Sequence, residues 1–81
     1  MISLSTVFNK DVGKNEVHFV NQQYDFLMSV VYDTKINGYR LNCTEAEANE
    51  IGKAEMDGNF NLKESLKEVR KILGAPVVVD T

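Results

Sequence analysis

The 81-residue sequence contains one cysteine, one proline, one histidine and no tryptophan. A single cysteine, Cys43, cannot form the internal disulfides that stabilise most small secreted domains. This indicates either a reducing compartment, which would be the cytoplasm, or a fold that is indifferent to redox conditions. No apolar run approaches the roughly 20 residues that a membrane-spanning helix requires. No basic segment followed by an apolar block indicates a secretory signal. These deficits predict a cytoplasmic protein without a membrane partner.

Catalytic and cofactor-binding motifs are missing as well. The five glycines are dispersed, and none forms the Gly-x-Gly-x-x-Gly or Walker pattern that cradles phosphates. No Gly-x-Ser-x-Gly elbow presents a serine nucleophile. His18 and Cys43 would have to touch to form a nucleophilic pair, but we expect Cys43 to face the core and His18 to face solvent. The sequence therefore predicts a protein that is not an enzyme and has no cofactor.

Metal-binding patterns are equally weak, because no Cys-x-x-Cys or His-x-x-x-His pair occurs. A segment that begins at Glu55 resembles an EF-hand calcium loop in part, with Asp57 and Asn59 at the third and fifth positions. It lacks the glycine of the sixth position, where Phe60 stands, and the glutamate of the twelfth, where Leu66 stands. We expect a connection between helices there and assign no metal site.

The residues that are present fit one globular domain over residues 1–81. Hydrophobic residues make up 43% and charged residues 26% of the chain, close to globular averages. The net charge of −3 disfavours a dedicated nucleic-acid binder, whose surface is usually basic. The first half is rich in β-branched and aromatic residues and the second in Ala, Glu, Lys and Leu, which indicates strands followed by helices.

Alternation of apolar residues predicts the first strands. It extends from Ile2 to Phe8, and the chain then reverses near Gly13 into a second arm over 16–21. The apolar residues over 17–31 also fit helical spacing, so a helix remains the alternative to strands in that segment.

Asn37-Gly38 is a strong signal for a two-residue type I′ hairpin turn. Such a turn places Ile36 opposite Tyr39, and Tyr32 opposite Cys43. Tyr24, Phe26 and Tyr32 share strand parity, and Tyr39 can join them across the turn. We expect these rings in the core, with an interface as the alternative.

The second half carries clear helix signals. Thr44 and Glu47 form a capping-box pattern that predicts a helix over 45–56. An amphipathic stripe predicts a second helix over 62–73, ended by Gly74. A short last strand is expected over 76–80.

We therefore predict an α+β fold: a small antiparallel sheet with a central Asn-Gly hairpin, two C-terminal helices packed on one face, and a short C-terminal strand. The predicted core consists of Leu4, Phe8, Phe19, Leu27 or its neighbours, Ile36, Leu41, Ile51, Leu66, Val69, Leu73 and Val78.

Charge is divided unequally between the helices, and this division carries the functional hypotheses. The first helix region has five acids against one base, which favours a small protein-binding module of the inhibitor, adaptor or immunity kind. Such a module would suit an accessory protein of a virus or mobile element. The predicted partner-binding residues are Glu45, Glu47, Glu50, Glu55 and Asp57.

Two alternatives remain open. A basic flank of the second helix would suit a small nucleic-acid-binding regulator. Its predicted contact residues are Lys63, Lys67, Arg70 and Lys71. A self-assembling structural protein is the third hypothesis, in which the valine-rich last strand pairs with another copy of the chain.

Overall fold

The computed structural model describes residues 2–22 and 25–79, which form one mixed sheet and two helices. The elements follow the order β1 (Ser3–Asn9), β2 (Lys14–Val20), β3 (Phe26–Asp33), β4 (Gly38–Asn42), α1 (Glu45–Met56), α2 (Leu62–Leu73) and β5 (Val77–Val78). Neighbours in the sheet follow the order β1-β2-β3-β4-β5, antiparallel except for the parallel pair β4–β5. The α+β fold with helices in the C-terminal half is confirmed.

In the described part of segment 17–31, which allowed both interpretations, the structure has the strands β2 and β3 and no helix. β1 and β2 form a hairpin around the turn that ends at Gly13, whose φ of 70° suits glycine. The register pairs Leu4 with Phe19 and Thr6 with Val17. Alternate residues of β2 are buried, and this places Val17 and Phe19 on the face that carries the helices.

A bulge at Leu27 interrupts the pairing of β2 with β3. Phe19 pairs with Met28 and Val20 pairs with Phe26, so Leu27 is an extra residue on its strand. Leu27 and Met28 are consequently both buried, while Phe26 turns to the opposite face and is 47% exposed. The predicted grouping of Phe26 with the core aromatics is wrong for this reason. Tyr24 lies outside the described residues.

The Asn-Gly hairpin is present, but its predicted two-residue turn is wrong. Tyr39 pairs with Tyr32 and not with Ile36, a displacement of four residues, and the loop spans residues 34–37. Asp33 and Asn37 stabilise this longer loop. The Asp33 carboxylate accepts the Lys35 backbone N–H at 2.9 Å, and the Asn37 side chain accepts the Tyr32 hydroxyl.

The register is displaced by an even number of residues, and side chains alternate between the two faces of a strand. Residues in the paired strands therefore keep their predicted faces. The Tyr32 and Tyr39 rings meet edge to face at 5.3 Å. Ile36 falls in the loop and is 48% exposed, which corrects its assignment to the core. Cys43 lies beyond the end of β4 and is exposed, so its predicted inward position is wrong.

Both helices have the predicted bounds because their capping residues act as expected. Thr44 forms the complete capping box with Glu47 at the start of α1. Asn61 caps α2 through the Glu64 backbone N–H, and Gly74 ends that helix with a φ of 66°. α1 packs on β3 and α2 on β2, which places both helices on one face of the sheet.

The core lies between that face and the helices. It contains Val17, Phe19, Leu27, Met28, Val30, Tyr39, Ile51, Leu66, Val69 and Val77, with Leu4, Leu41 and Leu73 packed partly buried against it. Two further core predictions are wrong. Phe8 lies near the far end of the edge strand and is 61% exposed. Val78 is exposed because its neighbour Val77 takes the inward position, opposite Tyr39.

Candidate functional site

α1 is a surface helix with little anchorage. Ile51 is the single buried side chain among its twelve described residues. Met56 projects into solvent with 89% of its surface exposed. A helix that buries so little of itself leaves most of its circumference exposed to solvent.

One of the five predicted partner-binding acids has a structural task. The Thr44 backbone N–H donates to Glu47 Oε1 at 2.7 Å, and the Glu47 N–H donates to Thr44 Oγ1 at 3.2 Å. These bonds satisfy two backbone N–H groups at the start of the helix. Replacing Glu47 would therefore disturb the helix itself, so this residue is a poor probe of binding.

The other four acids divide between two flanks of α1. At 100° per residue, Glu50 and Asp57 lie on one flank, whereas Glu45 and Glu55 lie on the other side of the buried Ile51. All four are exposed. The structure therefore brings together two of the predicted residues and separates them from the remaining pair.

Glu50 and Asp57 line a shallow groove of about 280 Å³ beside the sheet. Its lining is Ile2, Asn21, Leu27, Glu50, Lys53, Ala54, Asp57 and Asn59. The buried Leu27 and half-buried Ile2 supply apolar surface, and carboxylates stand at the margin. Lys53 Nζ lies 3.6 Å from Glu50 Oε1, but both side chains are largely exposed and the pair is weak.

The groove is smaller than most small-molecule sites, which span roughly 300–1,000 Å³. Its size and its mixed lining fit one long side chain of a partner. Ile2 and Leu27 are the lining residues that sequence patterns did not indicate as functional. The bulge that turns Leu27 toward α1 has no local sequence signal.

The predicted basic residues do share one flank of α2. Their positions span about 100° of the helix circumference, and all four are exposed. Lys67 Nζ lies 3.3 Å from Glu64 Oε1, an exposed pair of the ordinary helical kind. The flank is accessible, and α2 has no aromatic side chain that could stack on nucleic-acid bases.

A second recess, of about 350 Å³, lies between the β3–β4 hairpin and the end of α2. Tyr32, Tyr39 and Leu73 form its apolar walls, and Lys14 Nζ stands 5.2 Å from the centre of the Tyr32 ring. This cation–π contact holds Lys14 across the recess.

The sheet face opposite the helices carries a polar row. The register aligns Ser5, His18, Ser29 and Asn42 across four strands. The His18 ring meets Phe26 edge to face at 5.3 Å, and Arg40 Nε donates to Asp33 Oδ2 at 2.7 Å.

His18 faces outward as predicted and is bound to a carboxylate. Its Nε2 lies 2.9 Å from Glu16 Oε1. No group of three His, Cys, Asp or Glu side chains within residues 2–22 and 25–79 is arranged to hold a metal ion. Over the same ranges, no helix has the length and apolarity needed to cross a membrane.

Asn9 controls the ionisation of Glu16. The Asn9 side-chain amide donates to Glu16 Oε2 at 2.8 Å, and this bond, followed by the His18 contact, holds the pKa of the Glu16 carboxyl below its ordinary value. We expect Asn9→Ala to raise that pKa, measured by following the carboxyl carbon in an NMR pH titration. Asn15→Ala, the matched control, should leave it unchanged.

The sign of the stability effect follows from the lowered pKa. A carboxyl with a lower pKa in the folded state stabilises that state above the unfolded pKa, and the contribution disappears as pH falls through the folded pKa. The stability difference between the wild-type and Asn9→Ala proteins should therefore narrow as pH falls from the unfolded pKa of glutamate, about 4.3, through the lower folded pKa of Glu16. An unchanged Glu16 pKa in Asn9→Ala would contradict the assigned cause.

The chain matches no family model, and comparison with curated proteins and with solved structures gives no significant match either. Its function is therefore inferred from its own residues and their geometry.

Proposed function

We propose that the chain is a small non-enzymatic protein-binding module that contacts its partner through the groove beside α1. The observation that carries this proposal is the combination of apolar surface from Ile2 and Leu27 with the carboxylates of Glu50 and Asp57. An apolar recess with a charged margin suits a partner residue that has both properties.

Arginine and lysine are the residues that match this recess. Their aliphatic stems pack on apolar surface while the charged head stays at the margin. A guanidinium can donate charge-assisted hydrogen bonds to two neighbouring carboxylates. The proposed partner is accordingly a protein that presents a basic side chain from a basic surface.

The remaining acids of α1 would act at longer range. Complementary charge raises the association rate and selects the partner more than it raises affinity. Glu45 and Glu55 on the far flank add to the negative potential of the helix without lining the groove. We therefore assign contact to Glu50 and Asp57 and electrostatic steering to the other pair.

A pair of charge-reversal variants tests this division. Glu50→Lys with Asp57→Lys should weaken partner binding at least about tenfold, which corresponds to about 1.4 kcal/mol, because two margin carboxylates become repulsive. Glu45→Lys with Glu55→Lys makes the same change in net charge on the other flank and should lower affinity much less. The measurement is retention of the partner from nuclease-treated extract, followed by titration with the isolated partner.

Equal losses in the two double variants would show that only net charge matters and would remove the groove from the proposal. Helix content by circular dichroism controls for folding. Met56→Ala, which alters an exposed side chain of the same helix, provides a neutral comparison.

The nucleic-acid alternative rests on one observation, the four exposed cations on a single flank of α2. It requires binding that weakens steeply with salt, since neutralised phosphates release counterions. Retention that disappears on nuclease treatment, and that falls in Lys67→Glu with Lys71→Glu, would favour this function over protein binding.

A further inference from the structure

β1 forms an open edge of the sheet. In the order β1-β2-β3-β4-β5 it pairs only with β2 among the described residues. Its sequence over Ser3–Asn9 has no charged residue and no proline. Val7 is 40% and Phe8 is 61% exposed, so apolar surface accompanies the unpaired backbone groups.

Proteins usually protect such an edge with charge, proline, a bulge or a short strand. β5, the opposite edge, is protected by its length, because its described part is the dipeptide Val77–Val78. β1 is seven residues long and regular throughout its pairing with β2. An edge of that length without protection is suited to pair with another strand.

We propose that β1 pairs antiparallel with β1 of a second copy of the chain, about a twofold axis at Thr6. This register overlaps the whole strand and joins the two sheets into one. The paired positions are Ser3 with Asn9, Leu4 with Phe8, Ser5 with Val7, and Thr6 with Thr6. Each pair unites residues of the same parity, so both helix layers lie on the same side.

The strand is self-complementary in this register. Leu4 packs partly buried against the core, and Phe8 lies exposed on the same side of the sheet. The twofold axis places Phe8 of one copy beside Leu4 of the other. Cross-strand contact between an aromatic and an aliphatic residue is favourable, and here it continues each core across the interface.

Charge is also complementary at the ends of the strand. Lys10 follows β1 at the start of the turn, and the same register carried one residue beyond the strand would bring it opposite Ile2 of the other copy. Ile2 lines the groove whose margin carries Glu50 and Asp57. The second copy therefore brings an ammonium group toward a groove that is lined by two carboxylates and by one lysine, Lys53.

Pairing of β1 with β1 of a second copy is favoured over pairing of β1 with β5 of a second copy. Pairing of β1 with β1 is isologous and closes as a dimer, whereas pairing of β1 with β5 is head-to-tail and continues into a filament. Seven residues span about 24 Å and provide about six hydrogen bonds between the copies. Such an interface is smaller than a standard one, so the dimer should depend on concentration.

Sedimentation equilibrium of the purified wild-type protein from about 10 µM to 1 mM tests the proposal, over the range expected for weak association. The average mass should rise up to twofold and stop there. Thr6→Lys places two like charges opposite each other at the axis and should keep the protein monomeric. Thr34→Lys makes the same substitution in the exposed β3–β4 loop and should behave as wild type.

A wild-type protein that stays monomeric at 1 mM overturns the proposal, as does a Thr6→Lys protein that dimerises normally or a mass that grows beyond two copies. Amide hydrogen exchange on the wild type gives an independent readout if Thr6→Lys fails to fold. Protection should increase with concentration in alternate amides of β1, and dimerisation without that change would also overturn it. Because only the purified chain is used, the result is separate from that for partner binding.

Discussion

Phe19→Ala is expected to unfold the protein or to leave it barely folded. The Phe19 side chain is fully buried at the centre of the sheet, between Leu4 on β1 and Met28 on β3. Its ring meets Phe60 edge to face at 5.8 Å, which ties the inter-helix connection to the sheet. Truncation of a buried phenylalanine costs about 3–5 kcal/mol, and a domain of this size has about 5–10 kcal/mol in total.

The measurement is urea denaturation at protein concentrations of a few micromolar or less. Phe8→Ala is the matched control, because it makes the same substitution on the adjacent strand at a side chain that is 61% exposed. We expect it to change the free energy of unfolding by less than about 1 kcal/mol. Comparable losses in the two variants would mean that the β1 end is packed far more tightly than the structure shows.

The helices were predictable to the residue because their signals are local. Thr44 and Glu47 are three residues apart and satisfy each other, and Gly74 takes the left-handed conformation that ends α2. The fold class follows from the same local information, since strand-forming residues precede helix-forming ones.

The strand registers were harder to predict because side chains distant in sequence decide them. The Asn37-Gly38 dipeptide does mark a hairpin. However, the pairing of Tyr32 with Tyr39 and the hydrogen bonds of Asp33 favour a four-residue loop over a two-residue turn. The bulge at Leu27 likewise follows from the packing of β3 against both β2 and α1.

The candidate site was predicted only in part, because residues distant in sequence form it together. The sequence indicates an acidic helix, and the proposed site uses Glu50 and Asp57 from it. The apolar half of the groove comes from Ile2 and Leu27, which are distant in sequence and meet α1 only in the folded chain. No periodicity within one element contains that juxtaposition.

Ile51→Ala is expected to release α1 while the sheet stays folded. Ile51 is 4% exposed and is the single buried residue in the helix, so truncation removes most of its apolar anchorage. The cost of such a change, about 2–5 kcal/mol, exceeds what capping alone returns to an isolated twelve-residue helix. α1 amides should exchange at nearly unfolded rates, whereas amides of β2 and β3 should keep their protection.

Met56→Ala truncates an apolar side chain of the same helix that is 89% exposed, and it should leave the exchange pattern unchanged. Loss of protection in α1 and in the sheet together after Ile51→Ala would show that the helix belongs to the cooperative core, contrary to its sparse burial.

Detachment of α1 from a folded sheet would have a functional consequence as well. The groove disappears when the helix detaches, so partner binding through Glu50 and Asp57 should fall in Ile51→Ala even though both carboxylates are retained.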